Sequence, residues 1–157
     1  MAMHLGIIIY SRSGNTRKVA GKLKEELISC GHSVNLEEIT INGKTPAQAG
    51  QFELTAKPDP GNYDAVILGA PVQAFNLNPV MKAYLEQIPS LKGKKAACFI
   101  TKHLPVKWSG GTQAVSIIEK NCTSKGAVFK GAEIIIWSSA KKQENIKQAV
   151  KKLAALF

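Results

Sequence analysis

The residues best suited to chemistry lie near the start of the chain, in Ser11-Arg12-Ser13-Gly14-Asn15-Thr16. Three hydroxyls and one carboxamide surround a single glycine, and the segment opens a helix. Backbone N–H groups at a helix N-terminus, joined by hydroxyl donors, make a site for a phosphate-type anion. Ser, Thr and Asn are also common as helix N-caps, so an ordinary cap cluster is the other account of this stretch taken alone. Its place directly after a buried strand favours the anion.

Neighbouring residues exclude several kinds of anion chemistry. A P-loop needs Lys followed by Ser or Thr after its second glycine, whereas Asn15 and Thr16 follow Gly14. A dinucleotide fingerprint needs three spaced glycines, and Gly14 stands alone. A phosphorylated receiver would carry acids after its first and third strands, where this chain has Ser11 and Pro71. A cysteine phosphatase would place a thiol in the loop. The thiols are instead Cys30, Cys98 and Cys122, odd in number and not closely spaced. That pattern argues against a disulfide framework or a cysteine zinc site and fits a reducing compartment. No cluster of His, Cys and carboxylate points to nucleophilic catalysis or a metal. His103 is a candidate proton donor or substrate contact, and His4 and His32 read as surface or strand-edge residues.

The elements that position the loop follow from hydrophobic patterning. Leu5 to Tyr10 is too continuously apolar for a half-exposed strand and reads as a central one. A helix follows to about Cys30, with Val19, Ala20, Leu23 and Leu27 on one face and Gly31 as its stop. Ser33 to Ile39 reads as a second strand. Thr40 to Tyr63 is a long connection with room for one helical turn. Asp64 to Ala70 is the next buried strand, and Pro71 to Asn78 a loop. Asn78 caps a helix with Pro79 at its first position; Val80, Met81, Tyr84, Leu85 and Ile88 face inward. Lys95 to Thr101 is a fourth strand and Lys102 to Gly111 a second loop. Thr112 is expected to cap a helix carrying Val115, Ile118 and Cys122. Ala132 to Trp137 is a fifth strand, and Lys142 to Leu156 a closing amphipathic helix.

This alternation predicts an α/β fold with helices on both faces of a five-stranded parallel sheet. The order 2-1-3-4-5 places a switch point between the first and third strands, and ligands bind outside the carboxyl ends there. The loops at that edge are Ser11–Thr16, Pro71–Asn78 and Lys102–Gly111. A chain of 157 residues fits one domain spanning 1–157. No apolar run approaches the ~18 residues of a membrane span, and no signal segment is recognisable. The expectation is a soluble cytoplasmic protein.

Ser11 to Thr16 resembles the FMN phosphate-binding loop of flavodoxins, a hydroxyl-x-hydroxyl-Gly-x-Thr pattern. Tyr63-Asp64 through Gly69-Ala70-Pro71-Val72 resembles the third strand and first ring-contacting loop of that family. Gly93-Lys94-Lys95 leading into Ala97 to Thr101 resembles its fourth strand. The resemblance implies a flavodoxin-like three-layer sandwich with FMN as cofactor. It implies that Ser11, Ser13, Gly14, Asn15 and Thr16 hold the phosphate, with Arg12 within reach but turned to solvent. One side of the flavin ring would be flanked by Pro71, Val72, Gln73, Ala74, Phe75 and Asn76. The other would be flanked by Thr101, Lys102, His103, Trp108, Gly110 and Gly111. Gln73 departs from the pattern, since family members often carry Trp or Tyr there, and Phe75 is the candidate to take over the stacking. No glycine lies between Pro71 and Asn78, so the resemblance does not extend to the peptide flip toward the flavin N5 of electron-carrier flavodoxins.

Charge separates this chain from acidic carriers. The formal net charge is +10. Residues 1–81 hold seven basic and seven acidic residues, while residues 82–157 hold fourteen lysines against Glu86, Glu119, Glu133 and Glu144. A solvated lysine-rich surface accounts for much of this. The excess is lysine rather than arginine, with few aromatics, which argues against specific nucleic-acid readout. A unit charge ~8 Å from a flavin, at an effective dielectric of ~20, is worth about 2 kcal/mol before screening. Such charge favours the anionic reduced flavin and attracts an acidic redox partner or the phosphates of NAD(P)H. Three functions follow: an FMN redox protein passing electrons or hydride, a dimeric NAD(P)H-dependent quinone or flavin oxidoreductase, and a non-redox module binding an acidic partner. Monomer and homodimer are both open.

Overall fold

Strands that are apolar at every position need cover on both faces, and the structure supplies it. The computed structural model describes residues 2–42, 52–73, 76–103 and 110–157. Along the chain its elements are β1 (His4–Ile9), α1 (Asn15–Ser29), β2 (Ser33–Glu38), β3 (Thr40–Ile41), β4 (Leu54–Ala56), β5 (Ala65–Gln73), β6 (Asn76–Leu77), α2 (Pro79–Gln87), β7 (Lys95–Lys102), α3 (Gly111–Ser124), β8 (Val128–Ile136) and α4 (Lys142–Ala154). The main sheet runs β2-β1-β5-β7-β8, all parallel. This is the order expected from the sequence. Its register aligns Ile7 with Leu36 and Ile67, and Ile67 with Ala97.

Side chains of successive strand residues alternate between two cores. Leu5, Ile7, Ile9, Ala65, Ile67, Ala97 and Phe99 pack against Val19, Leu23 and Leu27 of α1 and Ile146, Val150 and Leu153 of α4. Ile8, Val66, Leu68, Ala70, Cys98 and Ile100 pack against Val80, Met81, Tyr84 and Leu85 of α2 and Ala114, Ile118 and Cys122 of α3. Two helices therefore cover each face. Among the described residues, no helix is long and apolar enough to cross a membrane.

Several local expectations change. The connection from Thr40 to Tyr63 contains the single helical turn expected, a 3-10 turn at Pro60–Asn62, but also an antiparallel pair, β3 with β4, that was not expected; residues 43–51 lie outside the described residues. Pro71 to Asn78 is likewise not all loop, because β5 continues to Gln73 and folds back on β6, pairing Val72 with Leu77. β8 begins at Val128, four residues before the expected start. The register shift between Ala96 and Ala97 leaves Lys130 as an extra residue, and the polar Lys130-Gly131 interrupts the apolar run that marks a strand.

Asn78 caps α2 as expected, its Oδ1 accepting the Val80 N–H at 2.8 Å. Thr112 does not cap α3. Gly110 holds that place with φ +102, and Thr112 sits inside the helix. The left-handed conformation turns the chain into the helix directly, so no hydroxyl cap is needed. His32 is buried rather than a surface residue, because its Nδ1 accepts the Met3 N–H at 3.0 Å. His4 stands edge-on to the Tyr63 ring, with centroids 5.0 Å apart.

Candidate functional site

β1, β5 and β7 all end at one edge, where Tyr10, Pro71 and Thr101 follow one another across the sheet. The Tyr10 N–H still bonds the Gly69 carbonyl at 3.1 Å, and Pro71 aligns with Thr101. Beyond that edge the chain turns at Ser11 to Gly14. Gly14 takes φ +94 as the residue before α1. That conformation strains a residue bearing a Cβ; here it aims the first turn of α1 back over the sheet edge.

In an α-helix the first four N–H groups have no carbonyl partner within the helix. The Arg17 N–H is taken by Ser11 Oγ at 3.2 Å, and regular bonding starts with Lys18 N–H to the Gly14 carbonyl at 3.1 Å. Gly14 has no side chain to cap the earlier groups. Thr16 is buried, and its hydroxyl lies 2.9 Å from the Thr101 hydroxyl.

A cleft of about 480 Å³ opens beside this loop, lined by Arg12, Ser13, Asn15, Pro71, Val72, Gln73, Thr101, Lys102, His103 and Trp137. Nine of these are sequence-derived site residues drawn from three separate loops. Ser11 and Thr16 lie behind the lining, one capping the helix and the other buried. Arg12 is exposed, as the resemblance implies. Asn76 is exposed on β6 and accepts the Leu77 N–H with its own Oδ1 at 2.8 Å. Gly110 and Gly111 are buried at the start of α3, where Gly111 packs against Ile134 and the stem of Lys102. They do not line the cleft. Ala74, Phe75 and Trp108 lie outside the described residues.

The wall at Pro71 to Gln73 is held from beneath. Asn78 is fully buried, and its Nδ2 donates to Gln73 Oε1 at 2.9 Å while its N–H donates to the Pro71 carbonyl at 3.2 Å. The opposite wall is held by β8: the Trp137 N–H donates to the Lys102 carbonyl at 2.7 Å, and the Ser138 hydroxyl donates to the His103 carbonyl.

Two residues were missed in the sequence. Trp137 lines the cleft, with Lys142 Nζ 4.6 Å from its ring centre. The available signal was its position immediately after the last strand, which places it on the ligand-binding edge of a parallel sheet. Arg17 lies against the loop, and a Cβ on Gly14 would sit 3.7 Å from its Nη1. The hydrogen bonds and charge of Glu38 hold the Arg17 guanidinium above its ordinary pKa.

The donor set suits an anion. Hydroxyls, a carboxamide and helix amides lie at one end, and among the described residues no carboxylate lines the cleft. Its volume falls within the range of roughly 300–1,000 Å³ usual for small-molecule sites.

A family model described as a flavodoxin domain matches residues 7–132. Oxidised flavodoxin 2 from Bacillus cereus is 25% identical, with 98% of this chain and 99% of that one aligned and a TM-score of 0.68. Oxidised flavodoxin 1 from the same organism is 20% identical over 98% and 95% of the two chains, with a TM-score of 0.70. A flavoprotein from Lactobacillus acidophilus NCFM, solved in complex with FMN, is 19% identical over 94% and 98%, with a TM-score of 0.66. No curated protein sequence matches. The match from residue 7 to residue 132 runs from β1 into β8 and includes the anion loop and both cleft walls, and the chain belongs to the flavodoxin domain family.

Proposed function

We propose that this chain is an FMN-binding redox protein that passes electrons or hydride through non-covalently bound FMN. The observation that carries the reading is the Ser11–Thr16 loop. It joins a buried parallel strand to a helix N-terminus and opens on a cleft between the ends of β5 and β7 that has no carboxylate among its described lining residues. Flavodoxin family membership and the FMN complex of the Lactobacillus acidophilus relative support it.

In this reading Ser11, Ser13, Gly14, Asn15 and Thr16 hold the phosphate through hydroxyls and amides. Pro71, Val72 and Gln73, continued by Ala74, Phe75 and Asn76, form one side of the ring site. Thr101, Lys102 and His103, continued by Trp108, Gly110 and Gly111, form the other. FMN, when bound, supplies the redox chemistry. The protein's own residues orient the ring, exclude water from its buried edge and set the surrounding charge. Arg12, Lys102 and the Trp137–Lys142 pair give the rim a positive character. That rim suits an acidic redox partner or the phosphates of NAD(P)H.

The test is the visible spectrum of the purified protein, followed by titration of the apoprotein with FMN. A yellow protein that binds FMN tightly supports the reading, and a colourless protein that ignores added FMN leaves the non-redox alternative. Rapid NAD(P)H oxidation with quinone present would instead favour the NAD(P)H-dependent oxidoreductase.

A further inference from the structure

Thr101 lines the cleft, and its hydroxyl is within hydrogen-bond reach of the anion loop. It lies 2.9 Å from the Thr16 hydroxyl, and both residues are almost completely buried, at 3% and 1% exposure. Thr101 stands on β7, between Pro71 of β5 and Ile135 of β8 in the sheet register. Thr16 stands in the first turn of α1. The contact thus joins the strand expected to flank a flavin ring to the loop expected to hold a phosphate.

A hydroxyl has one proton to donate and lone pairs to accept with. A phosphate dianion only accepts. A loop threonine that binds it must therefore spend its proton on the anion, leaving its oxygen to accept from elsewhere. Within this pair the donor to Thr16 is Thr101. Without an anion the pair can bond in either direction; with one, a single direction serves both groups.

We infer that Thr101 is a positioning residue for the phosphate end of the site, donating to Thr16 Oγ1 so that the Thr16 proton is directed at the anion. The inference rests on the FMN reading and gives the Thr101 hydroxyl a role at the phosphate in addition to the residue's place beside the ring. The energy at stake is that of a hydrogen bond to a charged group, which is stronger than a neutral one and gains from polarisation along a chain of bonds.

The experiment compares FMN with riboflavin, which has the ring and sugar chain but no phosphate, as ligands of the apoprotein. Thr101→Val is expected to weaken FMN binding about tenfold and riboflavin binding, which does not involve the phosphate loop, by far less. Thr101→Ser should restore FMN affinity. In a Thr16→Val background, Thr101→Val should have no further effect, because its action passes through Thr16. The 31P resonance of bound FMN should shift in Thr101→Val and return in Thr101→Ser. Thr101→Ala, made in both backgrounds, serves the same purpose if the valine variant does not fold. Equal losses for FMN and riboflavin would place Thr101 on the ring or in the general packing and overturn the inference, as would unchanged FMN affinity. Failure of the FMN reading itself has a different signature: the wild-type apoprotein would not prefer FMN to riboflavin.

Discussion

Arg17 and Glu38 form a two-pronged ion pair, Nε donating to Oε2 at 2.9 Å and Nη2 to Oε1 at 2.8 Å. The pair ties the first turn of α1 to the last residue of β2, and it leaves Nη1 on the side of Gly14. Both partners are substantially exposed, so their contribution to stability is small. Their effect on the anion loop is a matter of charge. Glu38 offsets a permanent cation that lies against the loop, and Glu38→Gln removes that offset. FMN should then bind about two- to fivefold more tightly at low salt, with the gain fading at high salt. Riboflavin affinity should not change. Fluorescence titrations with the two ligands at two ionic strengths check this, and equal tightening for both would place the effect away from the phosphate.

Gly69 and Gly21 make a matched pair of opposite sign. A Cβ on Gly69 would fall 2.2 Å from Phe99 Cζ, and Phe99 is fully buried with no room to retreat. Gly69→Ala should cost about 3 kcal/mol through overpacking at the centre of the sheet. A Cβ on Gly21, within α1, would meet nothing within 4 Å. Gly21→Ala should stabilise by about 0.5–1 kcal/mol through helix propensity. Denaturant melts of the two variants beside the parent measure both.

The contrast between these glycines shows what was legible in the sequence. The apolar runs at Leu5 and Ala65 read as strands covered on both faces, which set the sheet order, and Asn78-Pro79 read as a helix start because the two residues serve that role together. What escaped depends on contacts between distant segments. Trp137 looks like the apolar end of a strand until β7 and β8 are seen to end at the same edge. His32 looks like a polar residue after a helix-stopping glycine until Met3 reaches its Nδ1. Thr112 lost the cap to Gly110 because a left-handed glycine and a capping threonine are competing solutions to one turn. Thr101 lines the cleft and also bonds Thr16 of the loop, which only the meeting of α1 with β7 reveals.

The three thiols should differ sharply in reactivity. Cys30 is exposed, whereas Cys98 and Cys122 are buried. Burial pushes the Cys122 thiol up to about 12 from its ordinary 9.0. Cys98 is raised as well, by burial first and then by its acidic neighbours Cys122 and Glu119. At pH 8 a chromogenic disulfide reagent should label one thiol in the native protein and all three after unfolding. Stability should also fall as pH rises from about 9. Above that value the unfolded thiols release protons that the native ones retain, so unfolding becomes progressively easier up to about 12. Equilibrium unfolding of Cys30→Ser at pH 7 and pH 10 measures the loss, to which Tyr63 and Tyr84, also raised chiefly by burial, contribute with the same sign.

The strongest functional prediction concerns the sign of a salt effect. Reduced flavin is anionic, and the cleft carries Arg12, Lys102 and the nearby Lys142 with no carboxylate among the described lining residues. Positive potential stabilises the reduced state more than the neutral oxidised one, so it raises the two-electron potential of bound FMN. Mobile ions screen exposed charges, the Debye length shrinking from about 10 Å at 0.1 M to about 3 Å at 1 M. The potential should therefore fall as salt is added, whereas an acidic carrier, whose charge repels reduced flavin, should respond in the opposite direction. Lys142→Gln removes the cation above Trp137. It should lower the potential at low salt and flatten its salt dependence without altering the FMN absorption spectrum. Potentiometric titrations at three ionic strengths decide the matter: a potential that rises with salt would show that the acidic groups of the protein, not these cations, set the field at the flavin.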